Sequence, residues 1–368
     1  MTSLKVLFVV NSLSKGGAAV GANNLLKALR TQNIEITVVE ASAHQKIVSR
    51  FFRNLERVLD HLFFGSNIHF FRLYKPSLNL EYLVSVHSPD VIQFCNVSGN
   101  LVDYSLSAKD MPVVFHRMSD FWPYMGCAHY PEKGDRFGKF DRYFYRNHSF
   151  DLFLDAHRVA PSHWLISELA NSKIFQSPIH FIPNAISKGG PINTRTPVLS
   201  HVKIGFVSSS LNDERKGLDR VVRFVDDDRF ELNLFGLGNI DHLRFENCTV
   251  VSHGSFVSSD LPSVFSNFDI LVCPSYYDNS PNVVLEAMSF GIPVIGAAKT
   301  GMNSYITADT GHLFDFSAGS KSDFFDLVNR IIHNYPKYRE GCLAHIESFS
   351  PDSIGARYVD LYREVLGR

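Results

Sequence analysis

The stretch VLFVV, residues 6–10, decides the fold class, because five consecutive apolar residues between polar neighbours predict a strand buried on both faces. A loop that ends in Gly16 and Gly17 follows it. A helical pattern of apolar residues then leads to a strand-like segment at 36–39. Strand, loop, helix and strand in this order form the unit of a parallel α/β sheet. Further strand-like runs extend this sheet at 91–94, 112–115 and 152–154.

The second half of the chain restarts the same pattern. A strand is predicted at 202–207, a polar loop runs to Gly217, and a helix extends through Val225. More strand-like segments follow at 231–235, 270–273 and 293–295. The sequence therefore predicts two doubly wound, Rossmann-like α/β domains, whose strand ends and helix N-termini face a central cleft that favours anionic ligands.

The predicted domain boundaries follow from composition. Residues 1–186 form the N-terminal domain, residues 201–350 form the C-terminal domain, and the Gly-, Pro- and Thr-rich residues 187–200 link them. A chain of 368 residues matches about two domains of ordinary size.

Composition and charge exclude several classes of protein. The net charge of −1 argues against bulk nucleic-acid binding, so no nucleic-acid partner is expected. No apolar run is long enough for a membrane-spanning helix, and the run at 6–10 is too short for a signal peptide. The five cysteines show no metal-ligand spacing, and no other His/Cys cluster predicts a metal site. We expect a cytoplasmic protein.

Three polar stretches follow predicted strands. Gly16 and Gly17 let a ligand approach the backbone closely, although an ordinary tight turn explains them equally well. Arg215 and Lys216 can together hold a diphosphate, Arg as a planar fork and Lys as a point charge; a solvated turn is the alternative.

The third stretch, residues 273–288, is the most informative. Asp278 lies in a loop, and Glu286 follows after seven residues in a helix that begins near Ser280-Pro281. Apolar neighbours indicate that Glu286 is partly buried, and ligand hydroxyls are suitable partners for such a carboxylate. The backbone N–H groups near Asn282 and Val283 can take a phosphate.

The sequence resembles the retaining glycosyltransferases of family four, the group 1 glycosyl transferases with the GT-B fold. Motifs spread over most of the chain carry the resemblance: Gly16-Gly17-Ala18, Ile182-Pro183-Asn184, Arg215-Lys216-Gly217, and Asp278-x7-Glu286-Ala287-Met288 running into Gly291-Ile292-Pro293-Val294. Where the family has Glu at both acidic positions, this chain has Asp278 at the first. The resemblance implies that Glu286 binds the ribose, Asp278 faces the donor sugar, and Arg215 and Lys216 hold the diphosphate with help from Gly16 and Gly17.

A further segment, residues 119–127, resembles a His-Asp-Met-Trp-Pro-Phe-Thr-Gly segment of bacterial exopolysaccharide and O-antigen transferases in this group. Ser119 stands at the position of the family His, and Asp120 is shared. His116 is three residues earlier, which on an extended strand places it on the opposite face. Asp120 or Ser119 takes the role of the missing imidazole, or His116 does so if the strand ends early.

The resemblance implies a metal-independent hexosyltransferase that moves a sugar, with retention, from a nucleotide-sugar to a glycan or lipid-linked acceptor in bacterial surface polysaccharide synthesis. The first domain would bind the acceptor and the second the donor, with no cofactor, and a last helix at about 351–368 would pack back on the first domain. Fixed cations and N–H dipoles stabilise the leaving diphosphate without a metal. The run Asp226-Asp227-Asp228 is interpreted as a surface loop away from the cleft rather than a metal-binding motif.

Two basic, aromatic segments, 48–63 and 136–150, have helical spacing that suits contact with an anionic membrane surface, at the inner face of the cell membrane. Ordinary helices packed on the core explain them equally well. Two other functions stay open for the whole chain. One is a GT-B epimerase or phosphorylase, and the other is a degenerate transferase that binds glycans or scaffolds a synthesis complex.

Overall fold

The computed structural model describes residues 3–14, 16–44, 47–64, 73, 76–98, 101–107, 109, 111–122, 124, 129–130, 151–171, 179–190 and 196–368. The chain forms two compact units. The first comprises Met1–Ala185 and Pro351–Arg368, and the second comprises Ile186–Ser350. The predicted linker, 187–200, falls within the second unit, and its residues 191–195 lie outside the described part of the chain.

The first unit contains a parallel six-stranded sheet with the strand order β2-β1-β3-β4-β5-β6. Its strands are β1 (Lys5–Val10), β2 (Glu35–Glu40), β3 (Val91–Cys95), β4 (Val113–Arg117), β5 (His157–Ala160) and β6 (Ile179–Phe181). Alternate residues of β1 belong to two different hydrophobic cores. Leu7 and Val9 pack in one core, and Val6 and Phe8 pack in the other. The apolar run that opened the sequence is thus covered on both faces, as a parallel strand requires.

The helices of the first unit include one contributed by the end of the chain. They are α1 (Gly17–Arg30), α2 (Ile47–Phe64), α3 (Leu80–His87), α4 (Asp151–Leu154), α5 (His163–Asn171) and α11 (Pro351–Leu366). Helix α11 packs against α1, where Gly355 lies against the backbone of Ala28. Its buried Tyr362 donates a hydrogen bond to Gln93 of β3 at 2.7 Å.

One predicted strand is wrong. Residues 152–154 were predicted to be extended, but they belong to α4, and the strand of this region is β5, a few residues later. Leu152 and Phe153 are fully buried. A three-residue apolar run carries no periodicity that separates a buried helical turn from a buried strand.

The second unit contains a parallel sheet with the order β12-β11-β10-β7-β8-β9. Its strands are β7 (Val202–Ser210), β8 (Phe230–Leu237), β9 (Thr249–Gly254), β10 (Ile270–Cys273), β11 (Val294–Ala297) and β12 (Gly311–Phe314). Counted from β7, this is the 3-2-1-4-5-6 order of a doubly wound nucleotide-binding fold.

The helices of the second unit connect these strands. They are α6 (Leu218–Val225), α7 (Leu261–Phe265), α8 (Asn282–Ser289), α9 (Lys321–His333) and α10 (Tyr335–His345), with a short 3-10 turn at Glu214–Lys216. The strand order reverses between β7 and β10. Ligands of such sheets bind beyond the carboxyl ends of the strands at this reversal, which directs attention to the loops that follow β7 and β10.

Candidate active site

The loop after β7 brings the two predicted basic residues to the carboxyl edge of the second sheet. Asp213 caps the 3-10 turn by accepting the N–H of Arg215, and its other oxygen pairs with the Arg215 guanidinium at 2.9 Å. The turn ends at Gly217, whose φ of +72° favours glycine. A Cβ at Gly217 would lie 2.6 Å from the carbonyl oxygen of Pro274, in the loop after β10. The two loops therefore approach each other too closely for a side chain.

Asp278 meets Lys216 across this pair of loops. The Lys216 Nζ donates to Asp278 Oδ2 at 2.5 Å. Asp278 is buried at 5% exposure, whereas Lys216 keeps 24% of its side chain exposed. The structure thus brings together one residue predicted to hold a diphosphate and one predicted to face the sugar, and it joins them to each other.

Arg220 also ties the loops together, and no sequence pattern singled it out. Its Nη1 donates to the carbonyl oxygen of Pro274 at 2.9 Å, and its guanidinium lies 4.3 Å from the centre of the Tyr276 ring. Tyr276 in turn donates its hydroxyl to Asp219, and its backbone N–H donates to the carbonyl of Arg215. These contacts between the two loops stabilise the positions of Arg215 and Lys216.

Helix α8 carries Glu286 and begins one residue after Pro281, close to the predicted start. No side chain caps its N-terminus, where Asn282 and Val283 are the first two residues. Such a terminus offers backbone N–H groups and a partial positive charge to an anion. The turn before the helix is tied to the sheet edge because the N–H of Gly301 donates to the carbonyl of Asp278 at 2.8 Å.

Glu286 is half-buried among apolar neighbours, as predicted. Within the described part of the chain, no hydrogen bond or ion pair reaches its carboxylate. Burial raises its pKa from 4.5 to about 7, because burial disfavours the charged form. A carboxyl group that is desolvated and unpartnered in this way gains most from a ligand that donates hydroxyl hydrogen bonds to it.

In the first unit, Gly16 and Gly17 lie where β1 leads into α1. Gly16 precedes the helix with a φ of +85°, a conformation that requires glycine in practice. A Cβ at either glycine would meet nothing within 4 Å. The backbone there is open to a ligand on its outer side. Lys15 lies outside the described residues.

Asp120 is paired with His129, which no motif of the sequence singled out. One oxygen of its carboxylate accepts the N–H of Trp122 at 2.9 Å, and the other lies 2.7 Å from Nδ1 of His129. Both side chains of the pair are 17% exposed. The backbones are joined as well, since Phe121 donates its N–H to the carbonyl of His129. An imidazole thus stands beside Asp120 although Ser119 occupies the family His position; no local spacing could have revealed it.

His116 does not lie on the face opposite Ser119, so that expectation is wrong. Strand β4 ends at Arg117, which turns the chain before Ser119. Both residues line one pocket, together with Asn96, Val97, Ser98, Asp120 and Trp122. His116 is buried and its Nδ1 is 2.7 Å from the Tyr124 hydroxyl. Burial, aided by Arg117 and Arg158, lowers its pKa to about 3, so the imidazole is neutral.

Ser119, a residue of the pocket lining, is hydrogen-bonded to Arg117, which is not part of that lining. Its hydroxyl oxygen accepts a hydrogen bond from Arg117 Nη1 at 3.1 Å. The other terminal nitrogen of Arg117 donates to Asn184, which belongs to the Ile182-Pro183-Asn184 motif. The pocket lining combines the carboxylate of Asp120, the hydroxyls of Ser98 and Ser119 and the amide of Asn96, a set of acceptors and donors that suits sugar hydroxyls.

The acidic run Asp226-Asp227-Asp228 forms the loop that sequence analysis expected. Asp226 accepts the backbone N–H groups of Glu246, Asn247 and Cys248, and Asp227 pairs with Arg229 at 2.8 Å. These contacts hold the turn before β8, at the amino edge of the sheet. Among the described residues, no group of three or more His, Cys, Asp or Glu side chains is arranged to hold a metal ion.

Part of the sequence is similar to known proteins. Residues 201–334 match the family described as Glycosyl transferases group 1. A protein of Klebsiella pneumoniae, described as an uncharacterized 41.2 kDa protein in the cps region, is 24% identical over 220 residues, 56% of this chain and 60% of that protein. The sulfoquinovosyl transferase SQD2 of Arabidopsis thaliana is 28% identical over 158 residues, 40% of this chain and 28% of that protein. The matches thus span less than two thirds of either relative.

Two solved structures match nearly the whole length of the chain. The apo lipopolysaccharide outer core galactosyltransferase WaaB matches with a TM-score of 0.61 and 15% identity, over 97% of this chain and 98% of its own. HepE of Anabaena in complex with UDP-glucose matches with a TM-score of 0.59 and 15% identity, over 99% of both chains. The chain has the GT-B fold, as predicted. The resemblance to group 1 glycosyltransferases is confirmed over residues 201–334.

Proposed function

We propose that this protein is a glycosyltransferase that moves a sugar from a nucleotide-sugar to a glycan or lipid-linked acceptor in the synthesis of a bacterial surface polysaccharide. One observation carries the proposal: the segments that follow β7 and β10, where the strand order of the second unit reverses, carry Arg215, Lys216, Asp278 and Glu286, and Lys216 pairs with Asp278. All four lie inside the segment that matches the group 1 glycosyl transferases. The solved structure of HepE, which shares the fold, holds UDP-glucose.

Each group of this cluster suits one part of a nucleotide-sugar. Glu286, desolvated and without a partner among the described residues, suits the ribose hydroxyls. Arg215, Lys216 and the uncapped N-terminus of α8 suit the diphosphate. Asp278 suits the donor sugar. Breaking the sugar–phosphate bond builds negative charge on the diphosphate, and these fixed positive groups would stabilise that charge without a metal ion.

The pocket of the first unit suits the acceptor. Asp120 is the charged group there that can accept a hydrogen bond from a sugar hydroxyl, and His129 would act as a positioning residue by orienting that carboxylate. His116, held neutral by burial, and Ser119 complete the polar lining. We further propose that transfer proceeds with retention and that the transferred sugar is a hexose.

The first experiment is calorimetric titration of the protein in the presence of EDTA. The ligands are the nucleoside diphosphates of uridine, guanosine, adenosine and thymidine, and the corresponding nucleoside diphosphate hexoses. One nucleotide should bind, and Lys216→Gln should lower the affinity of the protein for its nucleoside diphosphate by about 10- to 100-fold. The matched control is Lys299→Gln, since Lys299 pairs with Asp315 at 2.8 Å and is 82% exposed. Equal effects of the two variants, or binding that needs a divalent metal, would contradict the proposed donor site.

The same preparations separate the rival functions by their products. A transferase slowly releases sugar from its donor in water, and retention gives the sugar anomer of the donor, which proton NMR detects. An epimerase converts the donor without releasing sugar, and a phosphorylase depends on inorganic phosphate. A scaffold shows no turnover. His129→Gln, in a transferase, should lower transfer about tenfold or more while leaving nucleotide affinity unchanged.

A further inference from the structure

The turn that follows β11 supports the loop that carries Asp278. Strand β11 is parallel to β10 and lies beside it, so the segments that follow these two strands leave the same edge of the sheet. Thr300 caps the 3-10 turn Gly301–Ser304, and its hydroxyl donates to the carbonyl of Ala297, the last residue of β11, at 2.8 Å. The Gly301 N–H donates to the carbonyl of Asp278 at 2.8 Å. The turn is therefore fixed to the end of β11 and bonded to the neighbouring loop.

Tyr305, the residue after this turn, holds the same loop at a second point. Its hydroxyl oxygen lies 2.6 Å from that of Ser280. No other hydrogen bond reaches the Ser280 side chain from the part of the chain that the structure describes. Ser280 comes two residues after Asp278 and two residues before Asn282, the first residue of α8. The segment from Asp278 to Ser280 is thus held at both of its ends.

The hydroxyl of Tyr305 is itself held in place by the core of the second unit. Tyr305 is 1% exposed and packs in the same hydrophobic core as Leu285 and Met288 of α8. Its backbone carbonyl accepts a hydrogen bond from Nε2 of His345 at 2.9 Å, and its ring lies 5.8 Å from that of Phe349. A side chain packed in this way has one well-defined position, so its polar end fixes the group that it bonds. Tyr305 is too buried to bind a ligand itself.

The first turn of α8 depends on this segment for its position. No side chain caps the helix, and Pro281, which precedes it, has no N–H group to donate. At the other end of the segment, Asp278 is paired with Lys216. A shift of Ser280 would therefore move two groups, the carboxylate that pairs with Lys216 and the N–H groups at the helix terminus.

We propose that Tyr305 is a positioning residue of the donor site. Its hydroxyl keeps Ser280 in place, and thereby keeps Asp278 and the N-terminus of α8 aligned with the sugar–phosphate bond of a nucleotide-sugar. This role rests on the proposed function, of which it is a part. A displacement of about 1 Å in an active site can slow a reaction about 100-fold. Loss of the hydroxyl should slow the reaction more than it weakens binding, because Lys216 and Glu286 still hold the nucleotide.

Tyr335 offers a matched control at the opposite edge of the same sheet. It is 4% exposed, and its hydroxyl donates to the carbonyl of Asp269 at 3.1 Å. Asp269 comes directly before β10, whereas Ser280 follows that strand. Tyr305→Phe and Tyr335→Phe each remove one buried hydroxyl and keep the ring, so each should lower the melting temperature by a few degrees. Only Tyr305→Phe should affect the reaction.

The test measures donor hydrolysis by proton NMR, with the uridine, guanosine, adenosine or thymidine diphosphate hexose that binds in the calorimetric titration. Tyr305→Phe should lower kcat about tenfold or more and change KM less than about threefold. Tyr335→Phe should change neither constant. Ser280→Ala should lower kcat as Tyr305→Phe does. The double variant Ser280→Ala, Tyr305→Phe should show little further loss, because the two hydroxyls act through one hydrogen bond.

A second measurement needs no nucleotide. The Gly301 N–H, which donates to Asp278, should exchange with deuterium several-fold faster in Tyr305→Phe than in Tyr335→Phe, because only the first variant loosens the loop locally.

Two outcomes would overturn the role of Tyr305 while leaving the proposed function intact. One is a value of kcat that Tyr305→Phe leaves unchanged. The other is an equal loss of kcat in Tyr305→Phe and Tyr335→Phe, which would assign the effect to general destabilisation. An unmodified protein that neither binds nor hydrolyses any nucleotide-sugar of the panel would contradict the proposed function, and the role of Tyr305 with it.

Discussion

At the scale of single residues, Glu286 makes the stability of the protein depend on pH. Its pKa is about 7 in the folded chain and 4.5 in the unfolded chain. Between these values the folded state binds more protons, so the stabilising effect is complete below pH 4.5 and is lost as the pH rises through 7. The unmodified protein should therefore lose more stability between pH 5 and pH 8 than Glu286→Gln, measured by thermal melting without nucleotide.

The same residue sets the sign of the pH effect on the ligand. Ribose hydroxyls donate hydrogen bonds best to the ionised carboxylate, so nucleotide affinity should increase as the pH rises through about 7. Glu286→Gln should bind more weakly and lose this dependence. An affinity that falls with pH in the unmodified protein would contradict the assignment of Glu286 to the ribose.

If Lys216 holds the diphosphate as proposed, Asp278 competes with the nucleotide for it. Their ion pair means that an incoming diphosphate must share the lysine with a carboxylate that repels it. Asp278→Asn should therefore raise the affinity for the nucleoside diphosphate roughly threefold, while turnover falls roughly 100-fold or more because a charge near the reacting sugar is lost. Asp309→Asn, at the partner of Lys337 in the same unit, is the matched control and should lack the rise in affinity. A fall in diphosphate affinity in Asp278→Asn would show that Asp278 serves to hold Lys216.

Single residues also show where prediction from sequence ends. Asp278 and Glu286 follow a strand and open a helix, and local pattern alone places such residues at the edge of a parallel sheet. The partners of Asp278 and Asp120 depend on loops whose path no local pattern specifies. Lys216 and Asp278 are 62 residues apart in the sequence. His129 and Asp120 are nine residues apart, and a turn between them brings the two side chains together.

At the scale of elements, the 3-10 turn Glu214–Lys216 depends on the glycine that ends it. Gly217→Ala combines a strained φ with a clash of Cβ against the Pro274 carbonyl. Gly254 has nearly the same φ, +74° against +72°, and nothing within 4 Å of a Cβ. Gly254→Ala should cost about 1 kcal/mol in the free energy of unfolding, and Gly217→Ala should cost about 1–3 kcal/mol more. Denaturant unfolding measures both.

The two glycine variants should also differ in function. Because Gly217 lets the loops after β7 and β10 approach, Gly217→Ala should weaken nucleotide binding, and Gly254→Ala should not. Equal stability losses in the two variants would mean that the loops separate at no cost and that the close approach does not hold Arg215 and Lys216 in place.

Strands and helices are predictable from the sequence where their pattern of apolar residues is long enough. The strand at 270–273 agrees with β10 to the residue, and the amphipathic segment 48–63 lies within α2. The failure at 152–154 comes from a run too short to have a period.

For α2, the spacing of the apolar residues predicts a helix but not which of its faces is buried, since either the apolar or the acidic side can face the interior. The buried Glu56 decides this in the structure. The other basic, aromatic segment, 136–150, lies outside the described residues. No helix of the described residues is long and apolar enough to cross a bilayer.

At the scale of the whole molecule, the two-unit architecture could be read from the repeated strand–loop–helix–strand pattern, because each copy encodes its own sheet. The place of the last helix could not. Its apolar spacing indicates only that one face is buried, and the surface that covers this face is α1, more than three hundred residues earlier. Resemblance to known proteins supplied that expectation.

This packing makes the stability of the first unit depend on a residue that follows the second unit in the sequence. A Cβ at Gly355 would lie 2.2 Å from the carbonyl oxygen of Ala28. Gly355→Leu should therefore separate α11 from α1 and cost about 3 kcal/mol or more in the free energy of unfolding. Both tryptophans of the chain, Trp122 and Trp164, lie in the first unit, so their fluorescence reports its unfolding alone.

In Gly355→Leu the fluorescence midpoint in denaturant should fall while nucleotide binding to the second unit persists. Asp360→Leu places the same side chain at an exposed position of the same helix and should leave the midpoint unchanged. A variant whose nucleotide binding is lost at the same denaturant concentration as its tryptophan signal would show that the two units unfold as one. In that case, the contact between α1 and α11 would stabilise the donor site as well as the sheet on which it packs.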